Sequence, residues 1–198
     1  SPRDRRAGIA EAVKVALIKD FNFFCWIEEH AQELNAFAPD AMSLMIRRCA
    51  ELHMRHIAQG DPFETGNVRP LDYGHWAAHK LESLTNHELR HGEAVAMGMA
   101  IDTRYAAQIG LLSEDIEHRI LQLLENLGFE LWHPMMQATS PRHRFLLTEG
   151  LREFREHLGG TLSITLLTQI GQCLEVQEID ELKIEHAVHW LKARQPRL

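Results

Sequence analysis

Apolar residues recur at intervals of three and four along most of this chain, the spacing of one face of an α-helix. Ile9, Val13, Ala16 and Leu17 open the pattern and Phe21, Phe24 and Trp26 carry it toward Leu34, which predicts one long first helix. Asn35 to Pro39 punctuates it, and Met42, Leu44, Met45, Cys49, Leu52 and Ile57 predict a second amphipathic helix ending at Gly60-Asp61-Pro62. The stretch from Pro62 to Pro70, with Gly66 inside it, reads as loop. A third helix then starts near Asp72. A fourth runs from about Glu93 to Ile109, its small residues Ala94, Ala96, Gly98 and Ala100 suited to close helix packing, and Gly110 stops it.

Ser113-Glu114-Asp115 has the form of a helix cap, and the apolar run Ile116 to Leu127 behind it ends at Gly128. Pro134 to Pro141 reads as an irregular connection, and Arg142 to Leu158 as a helix charged on one face. Thr161 to Leu167 alternates and is rich in β-branched residues, so it is expected to pair with Cys173 to Val176 across a turn at Thr168 to Gln172. Ile179 to Arg194 closes the chain as a helix. No repeat and no linker divides it. The prediction is one mainly α-helical domain, residues 1–198, with a small β-hairpin near residues 161–177.

Composition narrows the function. With 45% hydrophobic and 25% charged residues the chain reads as an ordinary globular domain. A net charge of −7 argues against nucleic acid as the partner, and no apolar run approaches a membrane span, so the expected location is the cytoplasm. Cys25, Cys49 and Cys173 are odd in number and widely separated, and read as buried free thiols.

The candidate chemistry lies in Gly74-His75-Trp76-Ala77-Ala78-His79-Lys80-Leu81-Glu82 and in His91-Gly92-Glu93-Ala94-Val95. His75 and His79 are four residues apart and share a helix face, so together with His91 they are placed to converge on one cation. With 13 histidines in the chain such a pair also arises by chance, but glycines beside His75 and His91 favour a site, since glycine lets backbone approach a ligand. No strand leading into G-x-G-x-x-G is present, and the chain reads as the second half of something larger.

These residues carry a resemblance. G-H-x-x-x-H-x-x-E followed by H-G-E-A-V-A-x-G-M is similar to the C-terminal domain of 3-dehydroquinate synthase and its sugar-phosphate cyclase relatives, and Ala7-Gly8-Ile9-Ala10-Glu11-Ala12-Val13-Lys14 resembles that family's A-G-x-A-E-x-x-K segment. The likeness covers roughly residues 2 to 177. It implies Glu11, His75 and His91 as ligands of Zn2+ or another divalent metal such as Co2+, His79 as a contact to substrate phosphate rather than a ligand, and Lys14 in the substrate pocket. It further implies NAD held by an N-terminal Rossmann-like domain absent from this chain, a homodimer, and an isolated fragment that is inactive. The implied reaction oxidises a sugar hydroxyl transiently, eliminates phosphate, returns the hydride and closes a carbocycle by an intramolecular aldol step.

Departures from the family pattern bear on the substrate. Where dehydroquinate synthases carry a lysine, an arginine, an asparagine and a D-K-K run, this chain has His53, Arg69, Asp72 and Phe154-Arg155-Glu156-His157-Leu158-Gly159-Gly160. Loss of a lysine and an asparagine weakens recognition of a substrate carboxylate. With His53, Arg69, Asp72, Arg155 and His157 as candidate substrate contacts, the expectation is a divergent cyclase, nearer those acting on sedoheptulose 7-phosphate. The alternatives are an iron-containing alcohol or glycerol dehydrogenase and a non-catalytic helical binding module.

Overall fold

The computed structural model describes residues 1–58, 70–141 and 144–195, without the side chains of residues 53, 56–58 and 70. The two innermost helices are α1 (Pro2–Lys19) and α6 (His91–Gln108), which pack on each other. Both are apolar on nearly every face. Ile9 to Ile18 of α1 is buried apart from Glu11, and so is almost all of α6 from Gly92 to Ala106, which is the pattern of core helices rather than surface ones. Around them lie α2 (Phe21–Glu29), α3 (Ala31–Asn35), α4 (Pro39–Ala58), α5 (His75–Leu84), α7 (Glu114–Asn126), α8 (Glu149–His157) and α9 (Glu181–Arg194). α5, α7 and α9 all pack on α6, and α8 packs on α5. None of the described helices is long and apolar enough to cross a membrane.

The mainly α fold and the hairpin are as expected. β1 (Ile164–Gln169) pairs antiparallel with β2 (Gln172–Val176), Leu166 opposite Leu174. Ser113 caps α7 by accepting from the Ile116 amide, and Gly110 and Gly128 take positive φ where the sequence stops helices.

Three expectations are corrected. The first helix is not continuous to Leu34. Asp20 is extended (φ −150°, ψ 98°) and its carboxylate accepts from the Phe23 amide at 3.0 Å, so it ends α1 and caps α2. The Gly171 amide, in the hairpin turn, donates to the Leu17 carbonyl at 2.7 Å, supplying from far along the chain a partner for the end of α1. The expected helix from 142 to 158 is only α8. Ahead of it the backbone folds back, with Leu146 N–H donating to Ala138 at 2.8 Å and Ser140 N–H donating to Arg144 at 2.8 Å. That arrangement buries Phe145 and Leu147. The loop expected from Pro62 falls, except for Pro70 itself, outside the described residues. The cysteines are free but half-buried rather than buried.

Candidate metal centre

Three helices deliver the polar cluster. α1 contributes Glu11 and Lys14, three residues apart on one face; α5 contributes His75, His79 and Glu82 on one face; α6 contributes its first residue, His91. The glycines beside the histidines do not meet a ligand, as the sequence suggested, but other helices. A Cβ on Gly92 would stand 2.3 Å from Ala7 Cα of α1, and one on Gly74 would stand 2.6 Å from the Met99 amide nitrogen of α6. Gly74 also holds φ +77°, where other residues are strained. Both glycines permit backbone contact that draws Glu11, His75 and His91 together. Arg3 forks onto Glu93, with one contact at 2.6 Å, and fastens the start of α1 to the start of α6.

His75 is ordered from both sides. Its Nδ1 lies 3.2 Å from the Tyr73 carbonyl, so Nδ1 carries the proton and Nε2 presents a lone pair, 3.4 Å from Lys14 Nζ. Burial, aided by the Lys14 charge, pulls its pKa down to about 4, so the ring is neutral. Below it, the fully buried Asp102 accepts from the Gly74 amide at 2.9 Å and from Trp76 Nε1 at 2.8 Å, which fixes the first turn of α5. Burial outweighs these two hydrogen bonds and raises the Asp102 carboxyl to about 7.

Glu11 divides its two oxygens. Oε2 takes the Lys14 ammonium at 2.7 Å, while Oε1 is buried without a hydrogen-bond partner, 3.6 Å from His91 Nε2. Burial opposes its charge, but His91 and Lys14 outweigh it and hold the carboxyl at about 2. The neighbouring Glu11 carboxylate, and after it Glu82, raises the pKa of His91. Ligand atoms of Glu11, His75 and His91 all lie within 4.8 Å of one another. One carboxylate and two imidazoles suit a borderline dication such as zinc, and a buried oxygen without a partner is what such an ion would satisfy. A second grouping, His79, Glu82 and His91, shares the His91 ring.

The predicted residues are not all brought together. His79 is exposed at the rim, its ring centroid 5.6 Å from that of His75. It lines a cavity of about 290 Å³ with His157 and the buried Lys80. Arg155 instead lines a different cavity, with Arg144 and Arg152. Asp72 ends a one-turn 3-10 helix directly before Tyr73, half-buried. Arg69 lies outside the described residues, as does the side chain of His53. Trp76 and Trp132 pack against the core, and Trp76 also serves Asp102. Glu82 and Asp102 carried no role in the sequence reading. Glu82 was detectable, lying three residues past His79 on the same face; nothing local marks Asp102.

Residues 8–147 match the family model described as 3-dehydroquinate synthase C-terminal. A 3-dehydroquinate synthase of Nitrosococcus oceani is 34% identical over 94% of this chain and 50% of its own length. A 2-epi-valiolone synthase of Actinosynnema mirum is 29% identical over 94% of this chain and 48% of its own. The chain thus spans about half the length of the curated relatives it matches. Among solved structures, a 2-epi-5-epi-valiolone synthase from Streptomyces hygroscopicus subsp. jinggangensis, with NAD+ and Zn2+ bound, superposes with a TM-score of 0.86 at 30% identity, covering 98% of this chain and 53% of that one. A 2-deoxy-scyllo-inosose synthase shares the fold, with a TM-score of 0.70 at 22% identity over 95% of this chain and 52% of that one.

Proposed function

This chain belongs to the 3-dehydroquinate synthase family, and from that premise we propose that it is the metal- and substrate-binding domain of a sugar-phosphate cyclase. In this reading it is joined to an NAD-binding domain, and the whole eliminates phosphate from a seven-carbon sugar phosphate and closes a carbocycle. The observation that carries the proposal is the convergence of Glu11, His75 and His91 from three helices around one buried, unpartnered carboxylate oxygen.

Glu11, His75 and His91 are the residues that would hold the ion, for which zinc is our choice. Bound there, it would supply Lewis-acid stabilisation of oxyanion character on the sugar hydroxyls. Lys14, buried and paired with Glu11, keeps a fixed positive charge beside the ligands, where it balances the carboxylate and attracts substrate oxygens. His79 stands at the rim with Nδ1 3.3 Å from Glu82, which leaves its other ring nitrogen for a phosphate oxygen. His157, in the same cavity, is the second candidate for that phosphate. The proposal extends to a cytoplasmic homodimer, which light scattering of the intact protein checks.

The replacement of lysine and asparagine by His53 and Asp72, with the close superposition on a valiolone synthase, favours a neutral sugar phosphate such as sedoheptulose 7-phosphate over a heptulosonate. The test is phosphate release by the intact protein with NAD and zinc, comparing the two substrates. Release from sedoheptulose 7-phosphate alone supports the proposal. Equal turnover of the heptulosonate phosphate removes the substrate preference, and NADH production without phosphate release replaces the cyclase with a dehydrogenase.

A further inference from the structure

The metal ligands leave Glu82 unexplained. Its side chain is only 16% exposed, and its Oε2 lies 3.2 Å from His91 Nδ1 and 3.3 Å from His79 Nδ1. One carboxylate oxygen therefore faces two imidazoles whose centroids are 5.9 Å apart. An ionised carboxylate only accepts, so each ring presents an N–H there.

We propose that Glu82 is the positioning residue of this centre, setting the tautomer and direction of His91 and His79 together. With a proton on Nδ1 of each ring, Nε2 of His91 keeps its lone pair for the site, while Nε2 of His79 is the nitrogen that meets a phosphate oxygen, as an N–H donor once that ring takes a second proton. What they then hold rests on the function proposed above. His91 has two carboxylate contacts, and that of Nδ1 with Glu82 is shorter than the 3.6 Å between Nε2 and Glu11. The proton retained by the neutral ring is therefore the one on Nδ1, and Nε2 points its lone pair toward Glu11 Oε1. A free neutral imidazole favours the opposite tautomer, so a fixed acceptor is required to reverse it. Glu82 stands on α5 with its side chain largely buried, held between the two rings it faces. The same carboxylate thus ties a metal ligand on α6 to the rim histidine on α5.

The experiment is 15N NMR of the intact, 15N-histidine-labelled, metal-free protein, at a pH where the 15N shifts themselves show neutral rings, with zinc affinity measured by chelator competition. Expected are Nδ1–H tautomers for His79 and His91, reversal of both in Glu82→Ala, and a zinc affinity 10–100-fold weaker in that variant. Should Glu82→Ala not fold, Glu82→Leu is read instead; it fills similar space without an acceptor, so both tautomers are again expected to reverse. Unchanged tautomers in the folded variants overturn the proposal. So does uptake of two zinc ions with the second lost in Glu82→Gln, because Glu82 is then a ligand. A protein that takes up no zinc yet shows both tautomers dependent on Glu82 upholds this proposal and defeats the metal reading.

Discussion

Substituting Gly92 by alanine isolates the packing that assembles the metal centre. The added methyl would stand 2.3 Å from Ala7 Cα, 2.6 Å from its carbonyl oxygen and 2.7 Å from its Cβ. These are mostly backbone atoms of a buried helix interface, so no flexible side chain can yield, and α1 must separate from α6 by about 1 Å to restore ordinary contact. Overpacking of this kind costs about 3 kcal/mol, from which roughly 1 kcal/mol is recovered because alanine is the better helix former. A net loss of about 2 kcal/mol in a domain of this size lowers Tm by about 4–8 °C. The same displacement moves Glu11, on α1, away from His91, on α6, whose contact is already 3.6 Å. Zinc affinity should therefore fall together with Tm, although no ligand has been replaced. Calorimetry and chelator competition on the same sample test this. A Gly92→Ala protein with unchanged Tm and unchanged zinc affinity would refute the argument that this close approach builds the site.

The remaining predictions concern single groups. His91→Ala should remove most metal affinity and His79→Ala should spare it, as elemental analysis after dialysis against a weak chelator will show; equal loss in both would make His79 a ligand. Zinc affinity should fall by about tenfold per unit as pH drops below the raised pKa of His91, because the ion must displace that proton, whereas Glu11 and His75, at about 2 and 4, are already deprotonated. A flat affinity between about pH 8 and 6 would contradict the cluster's electrostatics. Asp102 has a folded-state pKa of about 7, above its unfolded value, so the folded protein holds that proton more tightly. Its stabilising contribution is present below about pH 4 and is lost as pH rises to about 7, by at most about 4 kcal/mol. Urea unfolding across that range should show the decline in the parent and a shallower one in Asp102→Asn, and parallel curves would refute it.

Much of this protein was legible along the chain because its signals are local. Helical periodicity marked α4, α5, α6, α7 and α9, alternation marked the hairpin, and the glycines at 110 and 128 marked helix ends. The failures arose where a tertiary contact overrode an uninterrupted pattern. Apolar spacing runs straight through Asp20, yet the helix breaks there because its carboxylate caps α2 and the hairpin turn takes the Leu17 carbonyl.

The site divides in the same way. The sequence by itself determined which residues carry chemistry, since Glu11 with Lys14 and His75 with His79 each share a face through helical geometry alone, and the motifs around them resemble one family. Only the tertiary structure decided which atoms meet. Glu11 and His91 are eighty residues apart in the chain and approach because two helices touch at Gly92 and Ala7. Their approach leaves one oxygen of Glu11 on Lys14 and the other without a hydrogen-bond partner, and sets Glu82 against the rings of His79 and His91. Arg155 and His157, two residues apart on α8, point to different sides by helical geometry alone, and the packing around α8 gives each its own cavity. Local spacing fixes direction only within one helix; distances between helices are set by the side chains, or their absence, where the helices pack.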